Sequence, residues 1–104
     1  MVTKQTRTRL DTAERKRQIL TAAISTAKKK KLFGMTRQDV AAAAECSAPL
    51  VRFYFKSMDE LRTAVLAEAI RTSELGIVAQ GIAMGHPRCR RIAPELRAAA
   101  IADL

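Results

Sequence analysis

Residues 36–57 read TRQDVAAAAECSAPLVRFYFKS, and this stretch carries two helix starts in close succession. Thr36 followed three positions later by Asp39 is a capping pattern, in which the first side chain accepts from an early backbone N–H and the acid reaches back. Val40, Ala41 and Ala44 give the segment after it a short apolar face, which predicts a helix over about 37–44. Glu45 and Cys46 form a turn. Ser47 then caps a further helix, with Pro49 in its first turn, where a missing N–H is harmless and the ring-fixed φ is already helical. That helix is expected to end near Phe55. Ser57 and Glu60 form a third capping box, opening a long helix in which Leu61, Ala64, Val65, Glu68 and Ala69 keep helical spacing past residue 70. Two short helices on a brief turn are the sequence form of a helix-turn-helix.

Upstream, Asp11 and Glu14 make a D-x-x-E capping pair at which a first helix is expected to begin. Ile19, Leu20, Ala23, Ile24 and Ala27 form its apolar stripe, with Arg15, Arg17, Thr21 and Lys28 largely off it. Gly34 is the expected left-handed residue that stops this helix. Downstream, Gly76, Gly81, Gly85 and Pro87 interrupt the pattern before a short helix resumes over Pro94–Ala102. With 4% aromatic residues, no Trp and many Ala, Leu, Arg, Lys and Glu, the composition also favours helices over strands. The predicted fold is all-α: a three-helix domain containing the helix-turn-helix, a long fourth helix and a short C-terminal helical segment. The expected division is a basic flexible arm at 1–10, a helix-turn-helix DNA-binding domain at 11–57, and a connecting helix with a short C-terminal region at 58–104.

The formal charge of +9 is unevenly spread: residues 1–31 carry +8, residues 32–68 carry −1 and residues 69–104 carry +2. A basic end of this kind attracts polyanions, of which nucleic acid is the commonest and an anionic membrane surface another. No apolar run approaches the roughly 18 residues needed to span a bilayer, and the N-terminus lacks a secretory pattern, so a cytoplasmic location without membrane insertion is expected. Cys46 and Cys89 lack metal-ligand spacing. No nucleophile and base pair, phosphate loop or metal cluster is visible, so neither an enzyme, a cofactor nor a metal site is expected.

The segment from Arg17 to Val65 resembles the DNA-binding domain of the TetR family of transcriptional regulators, whose pattern runs from R-x-x-I-L-x-A-A to Y-F-x-S-x-x-x-L. The matching residues are Arg17, Ile19, Leu20, Ala22 and Ala23, then Phe33, Gly34, Thr36, Val40, Ala41, Ser47, Tyr54, Phe55, Ser57 and Leu61. Glu45 stands where the family has a Gly, and Met58 where it commonly has a Lys. With the four-helix pattern and the clustered charge, the resemblance leads to the expectation of a transcriptional regulator, a repressor before an activator, that binds an inverted repeat of double-stranded DNA as a homodimer. It also implies an effector-binding helical domain that the roughly 30 residues after the fourth helix do not supply. A small-molecule effector is therefore not expected, and dimerisation is expected from the fourth helix and residues 76–104.

By the same resemblance the third helix enters the major groove, and Ser47, Ala48, Pro49, Leu50, Arg52, Phe53 and Tyr54 are candidates for its contact face. Side-chain chemistry narrows that set. Arg52 alone there can bond a guanine in bidentate fashion, Leu50 or Pro49 suits a thymine methyl, and Tyr54 suits a phosphate. Thr36 and Arg37 at one helix start, and Lys56 and Ser57 at another, place hydroxyls, cations and backbone N–H groups where phosphates bind. Lys4, Arg7 and Arg9 form a possible DNA arm or a solvated tail. Two other readings stay open: a short interaction protein that pairs with and blocks another regulator, and a sequence-indifferent polyanion binder.

Other features have plain alternatives. Lys28–Lys31 spans a full turn, so it reads as a solvated helix end or a phosphate patch. Arg88, Arg90 and Arg91 either add to DNA binding or keep a loop soluble. His86 reads as a surface histidine and Phe55 as core. Cys46 reads as buried and inert in the turn, and Cys89, in an arginine-rich region, as the more reactive thiol.

Overall fold

The computed structural model describes residues 3–103, with side chains from Thr12 onward. Among the described residues there are six α-helices and no strand: α1 (Thr3–Lys30), α2 (Arg37–Ala44), α3 (Ala48–Tyr54), α4 (Met58–Thr72), α5 (Leu75–Ala83) and α6 (Pro94–Ala102), with a 3₁₀ turn at Pro87–Cys89. No described helix is long and apolar enough to cross a membrane.

The two short helices fall where their caps place them. The Thr36 hydroxyl accepts from the Asp39 N–H at 3.1 Å, and the Asp39 carboxylate accepts from the Thr36 N–H at 2.9 Å, so both halves of the box form. The Ser47 hydroxyl accepts from the Leu50 N–H at 3.2 Å to start α3. At α4 the capping is divided differently: Ser57 accepts from the Glu60 N–H, whereas the Glu60 carboxylate reaches past Ser57 to the N–H of Lys56 at 2.6 Å.

The ends of α1 differ from expectation. The helix begins at Thr3, so Asp11 lies inside it and does not start it. At the other end the left-handed residue is Lys31 (φ 72°), not Gly34. Gly34 is required for space: a Cβ there would sit 2.4 Å from the Lys30 carbonyl oxygen, because the chain folds back over the helix end as it leaves. Leu32 then enters the core fully buried, and Met35 follows it.

The core is one cluster. Ile19, Ala23 and Ala27 of α1, Val40 and Ala41 of α2, Val51 of α3, Leu61, Val65, Leu66 and Ala69 of α4, and Ile77, Val78 and Ala79 of α5 are all buried in it. It continues without a break from the first three helices into α5 and α6, through Cys89 and Ala100. The expected interruption at Gly76 and Gly81 is absent, since α5 runs through both. Gly81 is buried where α5 meets α4, and a Cβ there would lie 2.7 Å from both Leu66 Cδ2 and Cys89 Sγ. Gly85 (φ 68°) does end α5 as a left-handed residue.

Two substitutions separate space from conformation. Gly34→Ala is expected to lower stability by about 1–3 kcal/mol in urea unfolding, since the new methyl meets backbone. Glu45→Gly is expected to raise it by up to about 1 kcal/mol: Glu45 holds φ 57°, where a side chain costs roughly 1–2 kcal/mol and the added chain entropy of Gly returns only part.

Candidate nucleic-acid interface

The α2–turn–α3 unit is held from both ends and from below. At the turn, Glu45 adopts the left-handed conformation, its N–H bonds back to Ala42, and the Cys46 N–H bonds to the Ala41 carbonyl at 2.9 Å. These paired bonds satisfy carbonyls that the end of α2 would otherwise leave open. Ala48 and Val51 of α3, and Phe55 just after its end, face the core; Val51 is fully buried and Phe55 nearly so. Helical spacing puts Pro49, Arg52 and Phe53 together on the opposite side, and all three are exposed. Phe53 is 70% exposed, an unusual position for a Phe, and its ring meets that of Tyr54 edge-on at 5.1 Å.

The predicted contact residues therefore divide. Ser47, Pro49, Arg52 and Phe53 are exposed, and Leu50 is half-buried. Ala48 and Tyr54 are half-buried and packed against the core, so part of their surface is already spent. Thr36, Lys56 and Ser57 are exposed at the helix starts. Arg37 is half-buried, with an Nε atom that is buried and without a hydrogen-bond partner among the described residues. Lys4, Arg7 and Arg9 belong to α1, but their side chains lie outside the described ones.

The helix starts are less open to anions than the sequence suggests. The Thr36 N–H is occupied by Asp39 and the Lys56 N–H by Glu60, which leaves carboxylates beside the positions proposed for phosphate. Thr36, through backbone and side chain, and then the Lys30 ammonium at 3.2 Å hold the Asp39 carboxyl below its ordinary value, so it stays charged. At these ends the side chains of Arg37 and Lys56 are the cations that remain beside the occupied N–H groups.

Ion pairing also sorts the lysine run. Lys28 pairs with Glu74 at 3.1 Å and Lys30 with Asp39 at 3.2 Å, so two of its four cations are turned toward protein carboxylates. His86 is half-buried and caps the 3₁₀ turn, its Nδ1 accepting from the Arg88 N–H at 3.1 Å. Lys16, Arg17 and Arg88, which the sequence did not single out as a set, line one groove with Tyr54 and Lys56. Their only sequence signal is that Lys16 and Arg17 fall off the α1 stripe beside Leu20.

Comparison of the chain with protein-family models, with curated proteins and with solved structures finds no match.

The two thiols are the reverse of expectation. Cys89 is buried in the core between α5 and the 3₁₀ turn, and burial pushes its thiol above the ordinary value against the opposing pull of Arg97 and Arg88. Cys46, at the α2–α3 turn, is only half-buried. At pH 8 the higher Cys89 value means less thiolate, so iodoacetamide is expected to label Cys46 first and Cys89 only on unfolding; mass spectrometry of partly labelled protein reads the order.

Proposed function

We propose that the chain is a DNA-binding transcriptional regulator that reads sequence with the outward face of α3, as a repressor bound to an inverted repeat as a homodimer. The observation that carries this reading is the exposed set Pro49, Arg52 and Phe53 on a short helix whose other side is locked by Val51 and Phe55. Arg52 forms no ion pair within the described residues, so its guanidinium is available for a bidentate bond to guanine. Phe53 and Pro49 supply apolar surface of the kind that meets thymine methyls. Two short helices on a tight turn, α2 and α3, are consistent with a helix-turn-helix, and the resemblance of residues 17–65 to TetR-type regulators supports the same assignment. The excess of +8 in residues 1–31 supplies the sequence-independent attraction. Exposed Met84 and Ile101 offer apolar surface for a second copy in the C-terminal half.

A second reading rests on Phe53. So large an exposed apolar side chain also suits a protein partner, in which case the chain pairs with another regulator and blocks it.

Selection from a random duplex pool at physiological salt tests these readings. Enrichment of one inverted repeat is the expected result. Retention without enrichment would indicate a sequence-indifferent polyanion binder, and no retention together with a copurifying regulator would indicate the blocking protein. On the selected site, Arg52→Ala is expected to relax preference at one base position at a cost of about 1–3 kcal/mol, whereas Arg37→Ala weakens binding to all sequences alike. Equal losses on selected and random DNA for both variants would refute the assignment of Arg52.

A further inference from the structure

Between α1 and α4 lies a groove of about 860 Å³, bordered by the α3–α4 connection and by Arg88. Its size is that of sites holding small organic ligands. The lining residues separate by depth. Leu20, Phe55, Ala64 and Ala67 are buried or half-buried and make an apolar floor, whereas Lys16, Arg17, Lys56 and Arg88 are exposed around it. Lys16 lies 5.4 Å from the centre of the Phe55 ring, so the cationic border touches the apolar floor directly.

The two carboxylates of this groove already have hydrogen-bond partners. Glu60 accepts from the Lys56 backbone N–H, and Glu68 forms a two-pronged pair with Arg71. Hydrogen bonding to Arg71, and to a lesser extent the charge of Arg17, holds the Glu68 carboxyl low. None of Lys16, Arg17, Lys56 and Arg88 forms an ion pair within the described residues, in contrast to Lys28, Lys30, Arg62 and Arg71. Unpaired cations beside a partly buried apolar floor complement one kind of small molecule, with a hydrocarbon body and one anionic end.

We propose that this groove binds an amphipathic monocarboxylate, its hydrocarbon body on Leu20, Phe55, Ala64 and Ala67 and its carboxylate held by the surrounding cations, with Arg17 and Arg88 as the principal partners. Guanidinium groups suit that role because they meet a carboxylate with two parallel N–H donors. The site does not depend on DNA binding. Tyr54, the sole tyrosine in a chain without Trp, lines the groove and reports on it directly.

The test titrates the full chain with decanoate below its micellar concentration, reading Tyr54 emission and calorimetric heat. Saturation at one molecule per chain is expected. Arg17→Gln and Arg88→Gln are each expected to weaken binding about tenfold, and Lys29→Gln, which removes the same charge outside the groove, to leave it unchanged. Acetate and decyltrimethylammonium are expected not to compete. Binding that does not saturate, equal loss in all three variants, or equal affinity for decyltrimethylammonium or acetate would overturn the proposal.

Discussion

At Leu32 the backbone ties the end of α1 to both α4 and α5. Leu32 leaves α1 through the left-handed Lys31, its N–H donates to the side-chain oxygen of Gln80 on α5, and its carbonyl accepts from the Arg62 guanidinium of α4 at 3.3 Å. Its side chain is fully buried. Each of the two hydrogen bonds contributes only about 0.5–1.5 kcal/mol net, but a buried peptide group left without a partner costs roughly 1–3 kcal/mol. Gln80 and Arg62 therefore offset the cost of turning the Leu32 peptide groups inward at this point. With the end of α1 held against α4 and α5, the α2–α3 pair has a fixed frame to hang from. Arg62 adds to the hold by lying 5.8 Å from the centre of the Phe33 ring.

The frame also decides where charge remains available. Exposed ion pairs such as Lys28 with Glu74 and Lys30 with Asp39 are screened by solvent and contribute little to stability, so they do not hold the fold together. Their effect is on distribution. They turn part of the lysine run inward toward α2 and the start of α5, while Lys16, Arg52, Lys56 and Arg88 form no ion pair among the described residues and Arg17 acts on Glu68 through its charge alone. The positive character that a polyanion meets thus belongs less to the densest basic run than to scattered cations whose neighbours are apolar. Cations without an ion pair among the described residues therefore lie around the groove and on the outward face of α3, whereas two of the cations at the C-terminal end of α1 are paired.

Much of the architecture was legible because its causes are local. The limits of α2 and α3 follow from Thr36, Asp39, Ser47 and Pro49, each acting within a few residues of itself, and the core stripe of α1 follows from the spacing of Ile19, Ala23 and Ala27. What was missed has tertiary causes. Gly81 reads as a break in one dimension, yet it serves the close approach of Leu66 and Cys89, which only packing of α4 on α5 creates. Cys89 stands among arginines in sequence, but the carbonyl of Val78 and the α5 surface enclose its sulfur. For the interface, the alternation of Ala48, Val51 and Phe55 with Pro49, Arg52 and Phe53 was available from spacing. The half-burial of Tyr54 and the occupation of the Thr36 and Lys56 N–H groups were not, because both depend on how neighbouring side chains fold back.

The helix ends show how a local rule gives way. Helices α2, α4 and α5 close in the same manner: a left-handed residue at Glu45, Ser73 or Gly85 is followed by an N–H that bonds five positions back, Cys46 to Ala41, Glu74 to Ala69 and His86 to Gly81. Only the last of these uses the residue that local sterics favour. At Glu45 and Ser73 the side chain costs roughly 1–2 kcal/mol in that conformation. The cost is offset because the returning N–H satisfies an end carbonyl and because the next element must start immediately: Ser47 caps α3 two residues after Glu45, and α5 begins at Leu75, two after Ser73. A glycine at position 45 would make the turn easier to form but also freer before folding. The turn that orients α3 is therefore set by what flanks it, the Ala41 carbonyl on one side and the Ser47 cap on the other, and not by the conformational preference of the residue at its centre.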